Sequence, residues 1–222
     1  MSKKVAIISL ASGWQNAPWD DPTWERWGLN DGYLSFGPHR HCTRWFELHG
    51  DTPLTRARRL PGHFDRIREM QIPVYYLHGD PPTPTAIKLN TDALARNSNR
   101  RGVGRDYFAC TNAYQIALAL SEDFTHIALY GAPLETNREV VVERPCVAYW
   151  LGLAEGLGVT VSVHHDNFVG LLRHPYRYAL QDEQERKAVY DLCLAARGSL
   201  DYWLPHEEER LGLVEPLAIT DA

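Results

Sequence analysis

Glu47 and His49 place a carboxylate and an imidazole on either side of Leu48, at the end of a predicted strand, Arg44–Leu48. Alternate residues of a strand point to the same face, so both side chains could reach one substrate. There they could act as a general acid and a general base. They could equally hydrogen-bond to each other, and the residues alone leave both interpretations open.

The loop after the first predicted strand is a second place where chemistry could occur. This strand, Val5–Leu10, is followed by Ser12 and Gly13, and a turn there could direct backbone N–H groups at a phosphate. An ordinary tight turn is the alternative. The sequence contains neither the G-x-G-x-x-G fingerprint nor a Walker lysine motif, so no known phosphate-binding motif decides between the two.

Four tryptophans follow within fourteen residues, at Trp14, Trp19, Trp24 and Trp27. An indole ring can stack on a base or a sugar while its N–H donates a hydrogen bond, which suits a nucleoside or saccharide pocket. For at least two of the four we favour packing between a helix and the sheet instead. We keep Trp14, next to Gly13, as a ligand-binding candidate.

Asn30 and Asp31 come shortly after these tryptophans. Their side chains could read ribose hydroxyls or base edges by hydrogen bonding. The sequence Asn-Asp-Gly is also a common turn, so this segment is compatible both with ligand binding and with a simple change of chain direction.

A basic segment could close on a di- or polyphosphate, because it carries several arginines around two glycines. These arginines are Arg96, Arg100, Arg101 and Arg105. A solvated surface loop is the alternative.

Metal binding and covalent catalysis have little support in the sequence. Histidines occur as His39-x-His41 and as His164-His165-Asp166, but neither is a standard metal-binding motif, so we predict no metal site. No Ser or Cys lies in a known nucleophile motif, which leaves covalent acyl chemistry unsupported.

The candidate residues lie in or next to short apolar segments, which alternate along the chain with segments of helical pattern. Apolar runs predict further strands at residues 73–77, 125–130 and 159–163, and helical patterns cover residues 110–121 and 147–157. A strand, a helix and a second strand in this order imply parallel pairing with a right-handed crossover. We therefore predict an α/β fold, a Rossmann-like open and mainly parallel sheet flanked by helices, with its ligand beyond the carboxyl ends of the strands.

Length and composition indicate a globular protein with a sizeable core. The chain has 222 residues, of which 44% are hydrophobic and 23% charged, so collagen-like and disordered classes are excluded. We predict a nucleotide-binding domain over residues 1–180 and a helical appendage over residues 181–222, with no internal repeat.

Charge and cysteine usage bear on partners and location. The net charge of −5 and a pI of about 6.0 argue against general coating of nucleic acid, although a local basic groove would still permit DNA as a partner. Four isolated cysteines indicate free thiols in a reducing compartment. No apolar run suits a membrane span or an export signal, so we expect a cytoplasmic protein without a membrane partner.

Two segments resemble bacterial sialyltransferases and MptE-like proteins. Tyr107–Leu120 and Phe124–Gly131 are similar to the part of that family in which a helix start, a small-residue helix and a strand ending in Gly-x-Asp help to form the nucleotide pocket. Ile7–Gly13 and the Asn30-Asp31 pair resemble the family's first loop and its later Asn-containing strand.

The chain departs from this family at two points and is more similar to short, mostly phage-encoded proteins of unassigned role. The family's aspartate after Gly131 is replaced by Ala132-Pro133, and the catalytic histidine of the sialyltransferases has no counterpart between His126 and His164. The motifs shared with the phage-encoded proteins span most of residues 5–163, and they are Trp27–Asn30, Phe46–His49, Glu143–Pro145 and Tyr149-Trp150.

The resemblance implies nucleotide binding at the positions that match the family: Ser12, Gly13, Asn30, Thr111, Asn112 and Gly131. Arg144 would neutralise a phosphate, or else form a salt bridge with a neighbour of Glu143. The acid or base of a reaction would be Glu47, His49, Glu135 or Glu143.

These expectations lead to a nucleotide-sugar-dependent glycosyltransferase that transfers a sugar to a hydroxyl acceptor. The nucleotide sugar is then the donor substrate, and we expect no cofactor. The acceptor and assembly into a homo-oligomer stay open, and the host cytoplasm is the expected location if a phage encodes the chain. The alternatives are a non-catalytic nucleotide-binding or sequestering protein and a nucleotide hydrolase, which would need a metal or a positioned water.

Overall fold

The computed structural model describes residues 2–37, 40–97, 106–134 and 142–164. The described strands are β1 Lys4–Ile8, β2 Trp24–Leu29, β3 Arg44–Phe46, β4 Val74–Tyr76, β5 Ile87–Lys88, β6 His126–Tyr130 and β7 Thr160–His164. The described helices are a short 3₁₀ helix, Trp14–Asn16, and α1 Tyr33–Phe36, α2 Pro53–Arg58, α3 His63–Glu69, α4 Thr91–Asn97, α5 Thr111–Ser121 and α6 Arg144–Gly156. The predicted domain boundary at residue 180 lies outside the described residues.

The strands form one parallel sheet in the order β5-β4-β3-β2-β1-β6-β7. From β1 the chain adds strands on one side as far as β5, then returns to place β6 on the other side of β1. This reversal makes β1 the topological switch point of the sheet. The predicted α/β class with an open parallel sheet is confirmed.

Both faces of the sheet are covered, which is why β1 is apolar from Val5 to Ile8. In β1, Val5 and Ile7 pack with α4, α5 and α6, whereas Ala6 and Ile8 pack with α1 and α3 on the opposite face. Alternate residues of a strand point to opposite faces, so a strand buried on both sides reads as a continuous apolar run. This explains why β1 was visible in the sequence.

The tryptophan-rich segment contains a strand that the sequence analysis missed. Residues 24–29 form β2, and Trp27 is fully buried between Phe46 and Phe124, with its Nε1 donating to Glu25 at 2.8 Å. Trp27 therefore serves the core and cannot stack on a ligand. Two consecutive charged residues near its amino end, Glu25 and Arg26, hid the strand from the apolar pattern. Glu25 pairs with Arg44 at 2.8 Å, and Arg26 donates to backbone carbonyls.

The two long helices agree closely with their predicted ranges. Small residues of α5, among them Ala113 and Ala117, lie against β1 and let the helix approach the sheet. α6 begins at Arg144, three residues earlier than predicted, because Pro145 is well suited to a first helical turn. None of the described helices is long and apolar enough to cross a membrane.

The tetrapeptide Leu-His-Gly-Asp occurs twice, after β3 at residues 48–51 and after β4 at residues 77–80. Trp45 of β3 lies opposite Val74 of β4, and each copy of the tetrapeptide begins three residues after its member of this pair. The two turns therefore lie side by side. The carbonyl of Leu48 accepts hydrogen bonds from both Leu77 and His78, each at 3.0 Å. This four-residue repetition is confined to the two turns.

Gly50 has no room for a side chain between these turns. Its φ is +61°, and a Cβ atom there would overlap the carbonyl oxygen of His78. Gly158 provides a matched control, with a φ of +84° and open space around the position of a Cβ atom. We expect Gly158→Ala to cost about 1–2 kcal/mol for the left-handed backbone alone, and Gly50→Ala to cost more because the overlap is added. Chemical denaturation of both variants tests this, and equal losses would contradict it.

Candidate functional site

A cavity of about 460 Å³ opens beyond the carboxyl ends of β1, β2 and β6, at the switch point of the sheet. The connections leave β1 and β6 toward opposite faces here, which opens a crevice between them. Its lining residues are Ser9, Leu10, Ala11, Leu29, Asn30, Cys110, Thr111, Asn112, Gly131, Ala132, Pro133, Leu134 and Glu143. The volume lies in the range of small-molecule sites.

The amino end of α5 contributes to this cavity. Thr111 and Asn112 form its first turn, and the N-cap residue Cys110 makes no side-chain capping hydrogen bond. The first N–H groups of a helix lack partners within the helix, and together with the helix dipole they favour an anion. Burial raises the pKa of the Cys110 thiol to about 12, so it lines the cavity as a neutral group and not as a nucleophile.

Asn30 lies at the carboxyl end of β2 in a left-handed conformation, with a φ of +50°. Its backbone N–H donates to Phe46, and its carbonyl accepts from the indole of Trp45. The side-chain Oδ1 is buried without a hydrogen-bond partner among the described residues. A buried acceptor left unpaired costs about 1–3 kcal/mol, so a ligand that donates to this amide would gain from it.

A chain of buried polar side chains runs from α5 to the end of β1. Asn112 donates from Nδ2 to Ser9 Oγ at 2.9 Å and to Gln115 Oε1 at 3.1 Å. Gln115 is fully buried and donates in turn to the carbonyl of Gly28 at 3.5 Å. These bonds join the helix to β1 and β2 and fix the polar wall of the cavity.

Gly131 shapes the cavity through its backbone. Its φ is +62°, and a Cβ atom there would come within 2.6 Å of the carbonyl oxygen of Ala11 and 2.9 Å of that of Ser9. The loops after β1 and β6 can therefore meet only if this residue is glycine. The predicted binding residue Gly131 lies in the cavity wall, where it allows close packing.

Glu143 and Arg144 lie at the start of α6. Among the described lining residues, Glu143 supplies the sole carboxylate. Arg144 does not line the cavity, but its Nη2 donates at 2.8 Å to the carbonyl of Pro133, which does. The roles of both residues toward a ligand stay predictions.

Glu47 and His49 lie beyond β3, next to β2, and do not line this cavity. The Glu47 carboxylate is fully buried; Oε1 accepts from His49 Nδ1 at 2.9 Å and Oε2 from His63 Nε2 at 3.0 Å. Arg59 approaches Oε2 at 3.4 Å and also pairs with Asp31. The two residues thus satisfy each other, as one interpretation of their spacing predicted.

The surroundings of Glu47 keep it ionised. Burial by itself would raise its pKa, but the hydrogen bonds from His49 and His63 and the charge of Arg59 outweigh burial and lower the pKa to about 2. With both oxygens occupied, Glu47 is a poor base. A proton on Nδ1 of His49 leaves Nε2 as its basic nitrogen, on a side chain that is 59% exposed.

Four other predicted binding residues lie outside the cavity lining: Ser12, Gly13, Trp14 and Asp31. The N–H of Gly13 donates to the side chain of Gln15 at 3.0 Å, and Trp14 packs against Trp19 and Phe36. The part of this loop that lines the cavity is Ser9–Ala11, directly after β1, and not Ser12-Gly13 as predicted.

The sequence analysis did not single out Ser9, Gln115, His63 and Tyr33. Tyr33 OH lies 2.8 Å from His63 Nδ1, so it completes the surroundings of Glu47 from the helical side. Ser9 could have been found, because it is the one polar residue within the apolar run Val5–Leu10. Gln115 and His63 carried no such signal, since one polar residue on a helix usually faces solvent.

A larger cavity of about 640 Å³ lies on the α1–α3 side, near the amino ends of β3 and β4. Aromatic and cationic side chains line much of it, including Tyr33, Trp45, Arg40 and Arg66. Arg40 donates to Phe36 and covers the ring of Trp14, and Arg66 lies over Tyr33. Because these cations already pack on aromatic rings, the smaller cavity at the switch point is the better candidate.

No group of three or more His, Cys, Asp or Glu side chains is placed to hold a metal ion within the described ranges. His39, His165 and Asp166, three of the arginines of the basic segment and Glu135 lie outside those ranges. Arg96 is exposed on α4. Cys42, Cys110 and Cys146 are free thiols, as predicted, and Cys193 is not described.

Comparison with known proteins finds similarity in architecture alone. No protein-family model matches the sequence, and no curated protein matches it. A solved structure of the sialyltransferase CstII from Campylobacter jejuni with cytidine-5′-monophosphate is 11% identical, with a TM-score of 0.47 over 74% of this chain and 80% of that chain. A second structure of that enzyme, with CMP-3FNeuAc, is 12% identical, with a TM-score of 0.47 over 73% and 80%. The resemblance to phage-encoded proteins stays a prediction.

Proposed function

We propose that this protein binds a nucleotide sugar in the switch-point cavity and transfers the sugar to a hydroxyl acceptor. The observation that carries the binding part is the position of the cavity, between the diverging connections of β1 and β6 and at the start of α5. A parallel sheet offers its ligand a crevice at this point. The transfer part rests on the sequence resemblance to glycosyltransferases and on the acid–base groups at the same edge of the sheet.

The cavity supplies complementary groups for each part of a nucleotide. The first turn of α5 offers N–H groups to a phosphate. Asn30 and Asn112 offer side-chain amides to ribose or base, and Glu143 offers a carboxylate that can accept hydrogen bonds from sugar hydroxyls. Leu10, Leu29 and Leu134 supply apolar contact.

His49 is the proton acceptor in this proposal, with Glu47 as the group that orients it. The acceptor hydroxyl oxygen attacks the anomeric carbon and loses its proton to His49 Nε2. The bond from that carbon to the phosphate oxygen breaks, and the nucleotide leaves with the electron pair. For this the sugar must extend from the cavity across β2 toward the end of β3, the neighbouring strand.

A thermal-shift screen of CMP, UMP, AMP, GMP and their sugar derivatives tests the binding part. A ligand that binds only the folded protein raises the melting temperature, and at 100 times Kd the stabilisation is about 2.7 kcal/mol. We expect at least one nucleotide to protect the wild-type protein. If all of them leave the melting temperature unchanged at millimolar concentration, the cavity is not a nucleotide site.

Substitutions at Asn30 locate the bound nucleotide. Asn30→Gly keeps the left-handed backbone and removes the amide, so we expect binding to weaken by about 1–3 kcal/mol with little loss of stability. Thr111→Val, at the start of α5, should also weaken binding. Asn90→Gly is the matched control away from the cavity, since Asn90 caps the start of α4. Equal affinities in all three variants would place the ligand elsewhere.

A non-catalytic nucleotide-binding protein would have the same cavity and need no proton acceptor. Tight nucleotide binding combined with no transfer to any sugar or DNA acceptor would favour that function. A hydrolase would release the sugar to water without an added acceptor, so product analysis separates the three.

A further inference from the structure

A backbone carbonyl on β2 decides which groups donate and which accept in the hydrogen bonds that join α5 to the sheet. The carbonyl of Gly28 can only accept, so Gln115 must turn its NH₂ group toward it and its Oε1 toward Asn112. With the amide of Gln115 reversed, its oxygen would face the Gly28 carbonyl and its NH₂ group would face that of Asn112. Both contacts would be repulsive, and Gln115 is fully buried, so no water compensates for them.

The orientation of Gln115 in turn makes Asn112 the donor toward Ser9. The Asn112 NH₂ group has two hydrogens, and they go to Gln115 Oε1 and Ser9 Oγ. Ser9 Oγ is therefore an acceptor in this bond and keeps its own proton for another partner. Among the described residues, Ser9 Oγ takes part in this hydrogen bond as an acceptor and donates none, and Ser9 lines the cavity.

We propose that the Ser9 hydroxyl donates to a phosphate oxygen of the bound nucleotide. Gln115 is a positioning residue in this proposal, because it makes Asn112 the donor to Ser9 and so leaves the Ser9 proton for the phosphate. The inference rests on the proposed nucleotide site and names a group of that ligand. A phosphate oxygen is the fitting partner, because it can only accept and is charged, which makes the bond stronger than one to a neutral oxygen. The amino end of α5, whose Asn112 holds Ser9, offers N–H groups to the same anion.

Calorimetric titration with each 5′-monophosphate that binds and with its nucleoside tests this. The wild-type protein should prefer the monophosphate, and Ser9→Ala should reduce the ratio of the two affinities by about 10- to 100-fold, as expected for a lost hydrogen bond to a charged group. Ser35→Ala, at an exposed serine on α1, is the matched control and should leave the ratio unchanged.

Two substitutions at Gln115 separate positioning from packing. Gln115→Leu removes both bonds and lets the Asn112 amide reverse, so the ratio should fall in the same direction as in Ser9→Ala. Gln115→Glu should retain the ratio, because a protonated carboxyl group can donate to Gly28 and accept from Asn112. A purely structural role would lower the melting temperature and weaken nucleotide and nucleoside equally.

The outcomes that overturn the proposal are distinct from those that overturn the nucleotide site. If a nucleotide binds and Ser9→Ala leaves the ratio unchanged, the phosphate contact is wrong while the site stands. If Gln115→Leu lowers the affinities for monophosphate and nucleoside equally, or Gln115→Glu fails to retain their ratio, Gln115 does not decide whether Ser9 accepts from Asn112. If the wild-type protein binds no nucleotide, the proposed function and this inference both fail.

Discussion

Glu47→Ala is expected to destabilise the protein by about 3–5 kcal/mol, because it removes the buried anion on which two histidines and an arginine converge. His63, 2% exposed, and Arg59 would keep their polar groups in a largely dry environment without that partner. Since a domain of this kind is typically stable by about 5–15 kcal/mol, the loss would bring the variant close to unfolding. Urea denaturation followed by circular dichroism measures it.

Glu155→Ala is the matched control, since Glu155 is exposed on α6 and should change stability by no more than about 0.5 kcal/mol. If Glu47→Ala proves as stable as Glu155→Ala, the contacts of Glu47 with His49, His63 and Arg59 contribute nothing to stability.

Acid titration gives a second test of Glu47. Its pKa is lowered in the folded protein to about 2 from an ordinary value of 4.5, so its stabilising contribution is complete above pH 4.5 and is lost as the pH falls toward 2. The stability of the Glu47→Ala protein should lack this dependence on pH.

His49→Gln is expected to lower kcat of sugar transfer by about 10²- to 10⁴-fold, the usual contribution of a general base. Gln cannot take up the proton of the acceptor hydroxyl, although its amide can still hydrogen-bond to Glu47. Nucleotide affinity should stay within about twofold of wild type, because His49 does not line the cavity. Steady-state kinetics with the best nucleotide sugar, together with calorimetric titration, separate the two quantities.

Glu143→Gln is the comparison that decides between the two acid–base candidates. Glu143 lines the cavity, so its loss should weaken donor binding and raise KM more than it lowers kcat. If Glu143→Gln instead abolishes turnover while His49→Gln leaves it intact, Glu143 is the base and the Glu47–His49 pair stabilises the fold alone. His78→Gln, in the second copy of the Leu-His-Gly-Asp turn, tests whether any exposed histidine at this edge has the same effect.

The sequence by itself determined the architecture and the edge of the sheet at which the candidate site lies. Strands buried on both faces read as apolar runs, and the order of strand, helix and strand leaves a parallel sheet as the natural arrangement. These signals are local, and they recovered β1, β6 and both long helices to within a few residues. They failed at β2, where the Glu25–Arg44 ion pair and indole packing between distant segments, such as Trp27 with Phe124, stabilise a strand without an apolar run.

Only the tertiary structure decided which polar residues meet. Ser9 and Asn112 are 103 positions apart and share a hydrogen bond because β1 and α5 pack together at the switch point. Glu47 and His63 join because α3 returns over the end of β3, and Asp31 turns to Arg59, away from the cavity. Sequence spacing fixes the direction of a side chain within one element, whereas contacts between elements depend on how the chain reverses across the sheet, which no local pattern encodes.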